Sequence, residues 1–182
     1  MNKISTVPNI LTISRVLLLP IFAFGFFMES KSGAVLALLI FVLCCVTDYL
    51  DGYYARAYKQ ATKLGRILDP IADKILVSIS VLFMASFGML SRTALIPSAV
   101  ILCREVVISG VRDIAESKDG YFKTALLAKW KTAMQMVSIA TVILASVLES
   151  GMLAGIGEVM IWGSAGIAVC SGFIYCRRMI YR

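Results

Sequence analysis

Long apolar runs, separated by short clusters of charged and turn-forming residues, dominate the pattern of this chain. Each run is about twenty residues long, which is the length of helix that crosses a hydrocarbon core about 30 Å thick. Short connections between helices favour antiparallel neighbours in one bundle. We therefore expect an all-α integral membrane protein, a single membrane-embedded catalytic domain over residues 1–182, with six transmembrane helices over Ile10–Met28, Gly33–Ala55, Asp69–Leu90, Ala94–Ala115, Ala125–Leu148 and Met152–Tyr175.

Composition supports a membrane location and narrows the chemistry. Apolar residues make up 59% of the chain and charged residues 16%, whereas soluble domains carry roughly a quarter charged residues. The chain has no histidine, which excludes histidine bases, histidine metal ligands and Ser-His or Cys-His catalysis. Any catalysis must use carboxylates. The net charge of +7 favours anionic lipid or a phosphorylated substrate over nucleic acid, because no basic face lies outside the membrane segments.

The distribution of lysine and arginine predicts the orientation in the membrane. Of the 18 basic residues, Lys31 and Arg92 alone fall in the outer connections. The other 16 lie toward the end that holds both termini, which the positive-inside rule assigns to the cytoplasm. We expect a multi-pass protein of the bacterial inner (cytoplasmic) membrane with cytoplasmic N- and C-termini.

Four aspartates occupy positions that are costly in a membrane. Asp48 and Asp51 are three residues apart near the end of the second run, and Asp69 and Asp73 are four apart at the start of the third. Each pair therefore shares one helical face. Both pairs enter the membrane from the same end, because the second and third helices are consecutive and antiparallel. Convergent carboxylates repel one another and are poorly solvated there, so bound divalent cations would stabilise them.

The types of ligand indicate which cations. Oxygen ligands without His or Cys select hard cations such as Mg²⁺ or Mn²⁺, and four carboxylates can hold two of them. Such metal pairs commonly bind a phosphate or diphosphate for in-line displacement. The alternative is an interfacial salt-bridge network, in which the acids pair with the basic residues nearby: Arg56, Lys59, Lys63, Arg66 and Lys74.

From Asp48 to Asp73 the chain reads D-x2-D-G-x2-A-R-x8-G-x3-D-x3-D, which resembles the signature of the CDP-alcohol phosphotransferase family. The resemblance implies a six-span fold, usually a homodimer, in which a two-metal site binds the diphosphate of a CDP-linked donor. An alcohol acceptor then displaces CMP. It also implies that Asp48, Asp51, Asp69 and Asp73 are metal ligands and that Asp73 is the general base. The implied donor-binding residues are Asp51, Gly52, Ala55, Arg56 and Gly65.

Charged residues in the fourth and fifth runs bear on the choice of acceptor. An excess of cations toward the cytoplasmic end suits an acceptor that itself carries phosphate. The expected phosphate-binding residues are Arg104, Arg112, Lys129 and Lys131. Alternatives are that Glu105 simply neutralises a neighbouring arginine, and that Lys129 extends to the membrane interface.

Three segments resemble the bacterial phosphatidylglycerophosphate synthases, a branch of the same family: Pro8-Asn-Ile-Leu-Thr12-x-x-Arg15, Arg104-Glu-Val-Val-Ile-Ser-Gly-Val-Arg112 and Lys129-Trp-Lys-Thr-x-x-Gln135. The resemblance implies CDP-diacylglycerol as donor and sn-glycerol 3-phosphate as acceptor, with phosphatidylglycerophosphate and CMP as products. One alternative is a phosphatidylinositol-phosphate synthase of the same family. An alternative of another class is a small membrane transporter, although transporter ion sites usually lie near the bilayer midplane.

The orientation is tested by cysteine labelling after the five native cysteines have been replaced. A cysteine introduced beside Arg92 or Glu149 should react with a membrane-impermeant thiol reagent added to the periplasmic side. A cysteine beside Lys63 or Lys118 should react after the membrane has been permeabilised and not before. The reverse pattern would contradict the orientation predicted from the basic residues.

Overall fold

The fold consists of six α-helices, seen in a computed structural model that describes residues 7–28, 30–57, 63–116 and 125–180. No strand occurs within those ranges. The all-helical prediction is confirmed, and the order of the helices follows the six apolar runs. They are α1 Val7–Phe27, α2 Lys31–Ala57, α3 Lys63–Ser86, α4 Leu95–Glu116, α5 Ala125–Leu148 and α6 Gly151–Ile180.

The third helix differs most from its predicted bounds. It was expected over Asp69–Leu90, whereas α3 begins at Lys63 and ends at Ser86. Gly88 ends it in the left-handed conformation, with a φ of 68°. The Met89 N–H donates to the Met84 carbonyl at 2.9 Å and the Gly88 N–H to that of Ala85 at 3.3 Å, which is a Schellman cap. The apolar run continues past this cap. The run therefore indicates which residues are buried, and it does not show where the helix ends.

Four of the six helices are long and apolar enough to cross a membrane, among the residues that the structure describes. Their apolar stretches are Ile10–Phe27, Lys31–Gly52, Trp130–Leu148 and Gly151–Ile174. The chain is thus a multi-pass membrane protein with four candidate spans. That α3 and α4 also cross the membrane stays a prediction. These two helices carry the acids and cations discussed below, which lower their average hydropathy.

Close packing of α1 against α2 sets the register between them. A Cβ atom on Gly25 would lie 2.8 Å from the Gly33 carbonyl oxygen and 3.0 Å from the Ala37 nitrogen, so only a glycine allows the backbones to approach this closely. Ten residues of helix, about 15 Å, separate Gly25 from Arg15, and eleven separate Ala37 from Asp48. The register therefore brings Arg15 to the level of Asp48.

The remaining contacts divide the bundle into an aromatic end and a polar end. Helix α1 also packs on α3, α5 packs on α2 and α6, and α4 packs on α6. At the aromatic end, the Phe26 ring stacks on Phe83 with centroids 5.4 Å apart and lies 5.9 Å from Phe87. The polar residues of α1, α2 and α3 are at the opposite end, where α2 ends and α3 begins.

Candidate active site

One buried arginine lies at the centre of three aspartates. Arg15 on α1 is 3% exposed. Its Nη1 donates to Asp48 Oδ1 and its Nη2 donates to Asp51 Oδ2. The same Nη2 is 3.6 Å from Asp69 Oδ1. Three carboxylates from α2 and α3 therefore share one guanidinium, and we call these three aspartates the acid cluster.

A threonine one helical turn away from Arg15 contacts the same acids. Thr12 is fully buried. Its hydroxyl donates to Asp69 Oδ1 and also lies 3.5 Å from Asp51 Oδ2. Residues three apart share a helical face, so α1 presents Thr12 and Arg15 to the acid cluster together.

The sequence analysis missed the roles of Arg15 and Thr12. Arg15 was counted among the basic residues on the cytoplasmic side, and both residues were named in the segment that resembles the phosphatidylglycerophosphate synthases, but neither was expected to contact the aspartates. A signal was nevertheless present, because an arginine inside an apolar run is costly unless it has a partner within the bundle. The identity of that partner depends on the packing of α1, which no local pattern reveals.

Asp73, the predicted general base, lies beside the acid cluster. Its side chain is half-buried. It is close enough to interact electrostatically with Asp48 and Arg15, and also with Lys131 and Lys74. Asp73 therefore lies near the acid cluster and near two cations, Lys74 on its own helix and Lys131 on α5.

The acid cluster supplies the type of ligand atom that a divalent metal prefers, but its carboxylates are not arranged around a metal position. Within the described ranges, no group of three or more His, Cys, Asp or Glu side chains is arranged to hold a metal ion. The carboxylates instead meet at the Arg15 guanidinium. Three carboxylates against one guanidinium leave two negative charges uncompensated. One divalent cation would compensate both. Their oxygen donors are of the kind that Mg²⁺ and Mn²⁺ prefer.

The salt-bridge alternative is partly correct, because the acids do form ion pairs. Within the described residues their partner is Arg15, which the alternative did not name. Of those, Lys74 has a described side chain, and it interacts with Asp73 and Lys131. The side chains of the others lie outside the described residues: Arg56, Lys59, Lys63 and Arg66.

A second charged cluster lies on α4 and α5. Lys131 has a side chain that is 4% exposed and contacts Oε1 of Glu105, and Arg104 Nη1 is 3.8 Å from the same oxygen. Arg104 is also attached to α6, since its Nε donates to the Ala168 carbonyl at 3.2 Å and its Nη2 to Ser171 Oγ at 3.0 Å. One carboxylate thus lies between two cations. We call Arg104 and Lys131 the cation cluster.

The structure therefore brings together two of the four residues expected to bind the acceptor's phosphate. Glu105 does neutralise neighbouring cations, as the alternative held, and it contacts Lys131 as well as Arg104. Gly52 follows Asp51 on α2, and Gly65 is buried on α3. Other predicted site residues lie within helices, but their side chains are outside the described part of the chain: Ala55, Arg56, Arg112 and Lys129.

The acid and cation clusters are neighbours. Lys131 interacts electrostatically with Asp73 as well as with Arg104 and Lys74. Asp73 in turn interacts with Asp48 and Arg15. The acids of α2 and α3 and the cations of α4 and α5 are therefore linked through Asp73, which interacts with both groups.

An apolar groove runs between α2 and α5 beside the acid cluster. Its volume is about 300 Å³. Cys45 and Tyr49 on α2 lie within one turn of Asp48, so the groove begins next to the charged site. Its full lining is Phe41, Val42, Cys45, Val46, Tyr49, Met136, Val137 and Ala140.

The sequence is similar to those of known lipid-synthesising enzymes. Residues 5–170 match the CDP-alcohol phosphatidyltransferase family. A CDP-diacylglycerol–glycerol-3-phosphate 3-phosphatidyltransferase of Cereibacter sphaeroides is 41% identical over 92% of this chain and 76% of its own length. One of the same name from Rickettsia bellii is 34% identical over 92% of both chains. A cardiolipin synthase (CMP-forming) of Oryza sativa subsp. japonica is 35% identical over 97% of this chain and 58% of its own length.

The central place of Arg15 predicts a loss of stability when its charge is removed. Breaking a fully buried ion pair costs about 3–5 kcal/mol, but the Asp48 and Asp69 side chains are 44% and 40% exposed. We therefore expect Arg15→Gln to lower the free energy of unfolding by roughly 2 kcal/mol. The measurement is unfolding in detergent with EDTA present, so that no metal replaces the lost charge.

Arg92→Gln is the matched control, because Arg92 is exposed at the opposite end of the bundle. It should leave the unfolding midpoint unchanged. Equal stability of the Arg15 and Arg92 variants would contradict the view that Arg15 compensates the acid cluster.

Proposed function

The chain belongs to the CDP-alcohol phosphatidyltransferase family, and from this we propose that it transfers the phosphatidyl group of CDP-diacylglycerol to sn-glycerol 3-phosphate. The products are phosphatidylglycerophosphate and CMP. The relatives named for this reaction support the proposal. The observation that carries it is the proximity of Asp73 to both an acid cluster suited to a donor's diphosphate and a cation cluster suited to an acceptor's phosphate.

The acid cluster is proposed to serve the donor. Asp48, Asp51, Asp69 and Asp73 would hold Mg²⁺ or Mn²⁺, which, when bound, neutralises the carboxylates and the donor's diphosphate. Arg15 occupies the point at which three of these carboxylates meet, so its guanidinium has to give up contacts when a cation binds. The proposed nucleotide contacts are Gly52, Ala55, Arg56 and Gly65.

The apolar groove is proposed to bind an acyl chain of the donor. It opens within one turn of Asp48 and its lining is almost wholly apolar. When the donor's phosphates lie at the acid cluster, one of its acyl chains would extend directly into this groove. The apolar side chains of the groove can pack against an acyl chain along its length, which favours a lipid-linked donor over a water-soluble one.

The cation cluster and Asp73 are proposed to serve the acceptor. Arg104 and Lys131 form charge-assisted hydrogen bonds with the acceptor's phosphate, with Arg112 and Lys129 as further phosphate contacts. Asp73 accepts the proton of the 1-hydroxyl. The acceptor oxygen then bonds to the phosphorus on the diacylglycerol side of the diphosphate, and the bond from that phosphorus to CMP breaks. CMP leaves with the electron pair of that bond.

The assembly and setting of the enzyme follow the same family. We propose a single catalytic domain, a homodimer, and an active site that opens toward the cytoplasm of a bacterial inner membrane. The cytoplasmic side suits both substrates, since each carries phosphate groups that do not cross lipid. The transporter alternative is disfavoured, because the acids cluster toward one end of the bundle and the family is one of transferases.

An acceptor assay with purified protein tests the proposed function. CMP release from CDP-diacylglycerol micelles is measured with sn-glycerol 3-phosphate, glycerol, inositol 1-phosphate or phosphatidylglycerol. A charge-assisted contact of about 1.5–3 kcal/mol makes us expect at least a tenfold higher kcat/KM for glycerol 3-phosphate than for glycerol. Release with inositol 1-phosphate alone would support the phosphatidylinositol-phosphate synthase alternative. Release with phosphatidylglycerol alone would indicate the reaction for which the Oryza relative is named.

Asp73→Asn tests the general base. An amide cannot accept the hydroxyl proton, and loss of a general base lowers kcat by about 10²–10⁴-fold. The rate is measured at saturating Mg²⁺, which limits the contribution of weaker metal binding. Glu149→Gln, exposed at the opposite end, serves as the control and should retain the wild-type rate. An Asp73→Asn enzyme that keeps more than about a tenth of that rate would exclude Asp73 as the base.

A further inference from the structure

The Glu105 carboxylate occupies the space between the two cations that are proposed to bind the acceptor's phosphate. Its Oε1 contacts Lys131 and is 3.8 Å from Arg104 Nη1. We propose that Glu105 is a specificity-determining residue, whose carboxylate holds the phosphate position until an acceptor displaces it. This inference rests on the proposed function, because it takes the acceptor to be a phosphate ester.

Arg104 is held in place independently of Glu105. Its guanidinium donates to the Ala168 carbonyl and to Ser171 Oγ, both on α6. Ser171 is itself fixed, since its hydroxyl donates to the Ala168 carbonyl at 3.0 Å. The arginine stem packs beside Gly172, where a Cβ would be in ordinary contact with Arg104 Cγ at 3.7 Å. The cation therefore stays where it is when the Glu105 carboxylate leaves.

Lys131 cannot lose Glu105 without a replacement anion. Its side chain is 4% exposed, and it also faces the like charge of Arg104. A buried ammonium group without a partner is strongly unfavourable. Among the described residues, Asp73 is the other acid that interacts with Lys131, and it is proposed to serve the reacting hydroxyl. Departure of the Glu105 carboxylate is therefore coupled to arrival of another anion.

This coupling selects phosphorylated acceptors. A phosphate dianion carries two charges and three terminal oxygens, so it can bond to Arg104 and Lys131 together more strongly than one carboxylate can. A neutral alcohol brings no charge and leaves the pair between Glu105 and Lys131 intact. Because Glu105 competes for the two cations, an acceptor must carry a strong anion to displace it. Phosphate therefore binds more weakly than it would to the two cations without Glu105.

Binding of inorganic phosphate to Glu105→Gln tests this inference. The amide keeps the shape of the side chain and removes the competing charge. We expect the dissociation constant for phosphate, measured by thermal shift at constant ionic strength, to fall about tenfold, the equivalent of one charge-assisted contact. The variant should also unfold at a lower temperature in phosphate-free buffer and recover that loss when phosphate is added.

Glu158→Gln is the matched control. Glu158 accepts hydrogen bonds from Ser91 N at 2.6 Å and Ser91 Oγ at 2.8 Å, at the other end of the bundle. Its substitution weakens these two hydrogen bonds, and phosphate affinity should be unchanged. Unchanged or weaker phosphate binding in Glu105→Gln would overturn the inference, because it would make Glu105 a structural counterion or a direct contact of the acceptor.

A second variant covers the case in which Glu105→Gln does not fold. Glu105→Asp keeps the charge but withdraws the carboxylate from Lys131 by one methylene, so phosphate should bind more tightly by a smaller factor. Phosphate affinity equal to or below that of the wild type would again overturn the inference. These measurements need no turnover. Failure of the proposed function would instead appear in the wild-type protein, as absence of CMP release with glycerol 3-phosphate.

Discussion

The compensation of charge inside an apolar bundle is the constraint on which the rest of this structure depends. Three aspartates that would repel one another are held together by one buried arginine. An isolated ion is poorly solvated in such surroundings, so removal of either partner leaves an uncompensated charge. The arginine comes from the first helix and the acids from the second and third, and one interaction therefore joins three helices at the polar end.

The same constraint explains the second cluster. Lys131 and Arg104 are compensated by Glu105, just as the acids are compensated by Arg15. In both places the chain supplies an internal ion where a substrate or metal of like charge is proposed to bind. These internal ion pairs stabilise the charged residues within a membrane. Ligand binding becomes an exchange of ions, and the affinity for each ligand depends on how well it replaces the internal one.

The packing of α1 against α2, far from the charged residues, sets the alignment of the residues that form these contacts. Gly25 and Gly33 bring the backbones of α1 and α2 together at the aromatic end. The rise of 1.5 Å per residue then carries the same register along both helices to the level of Arg15 and Asp48. A helix surface that looks like ordinary small-residue packing thus positions a polar site about 15 Å away.

The sequence by itself determined the six helices and the placement of each aspartate pair on one helical face, because both follow from local periodicity. Residues three or four apart share a face in any helix, and apolar runs of about twenty residues fit a bilayer. It misjudged the end of α3, where Gly88 stops the helix while the apolar run continues. Only the tertiary structure decided that Arg15 and Thr12 meet the acids, and that Glu105 lies between Arg104 and Lys131. These contacts join residues of different helices, and the distances between helices are set by packing, which no local pattern of residues encodes.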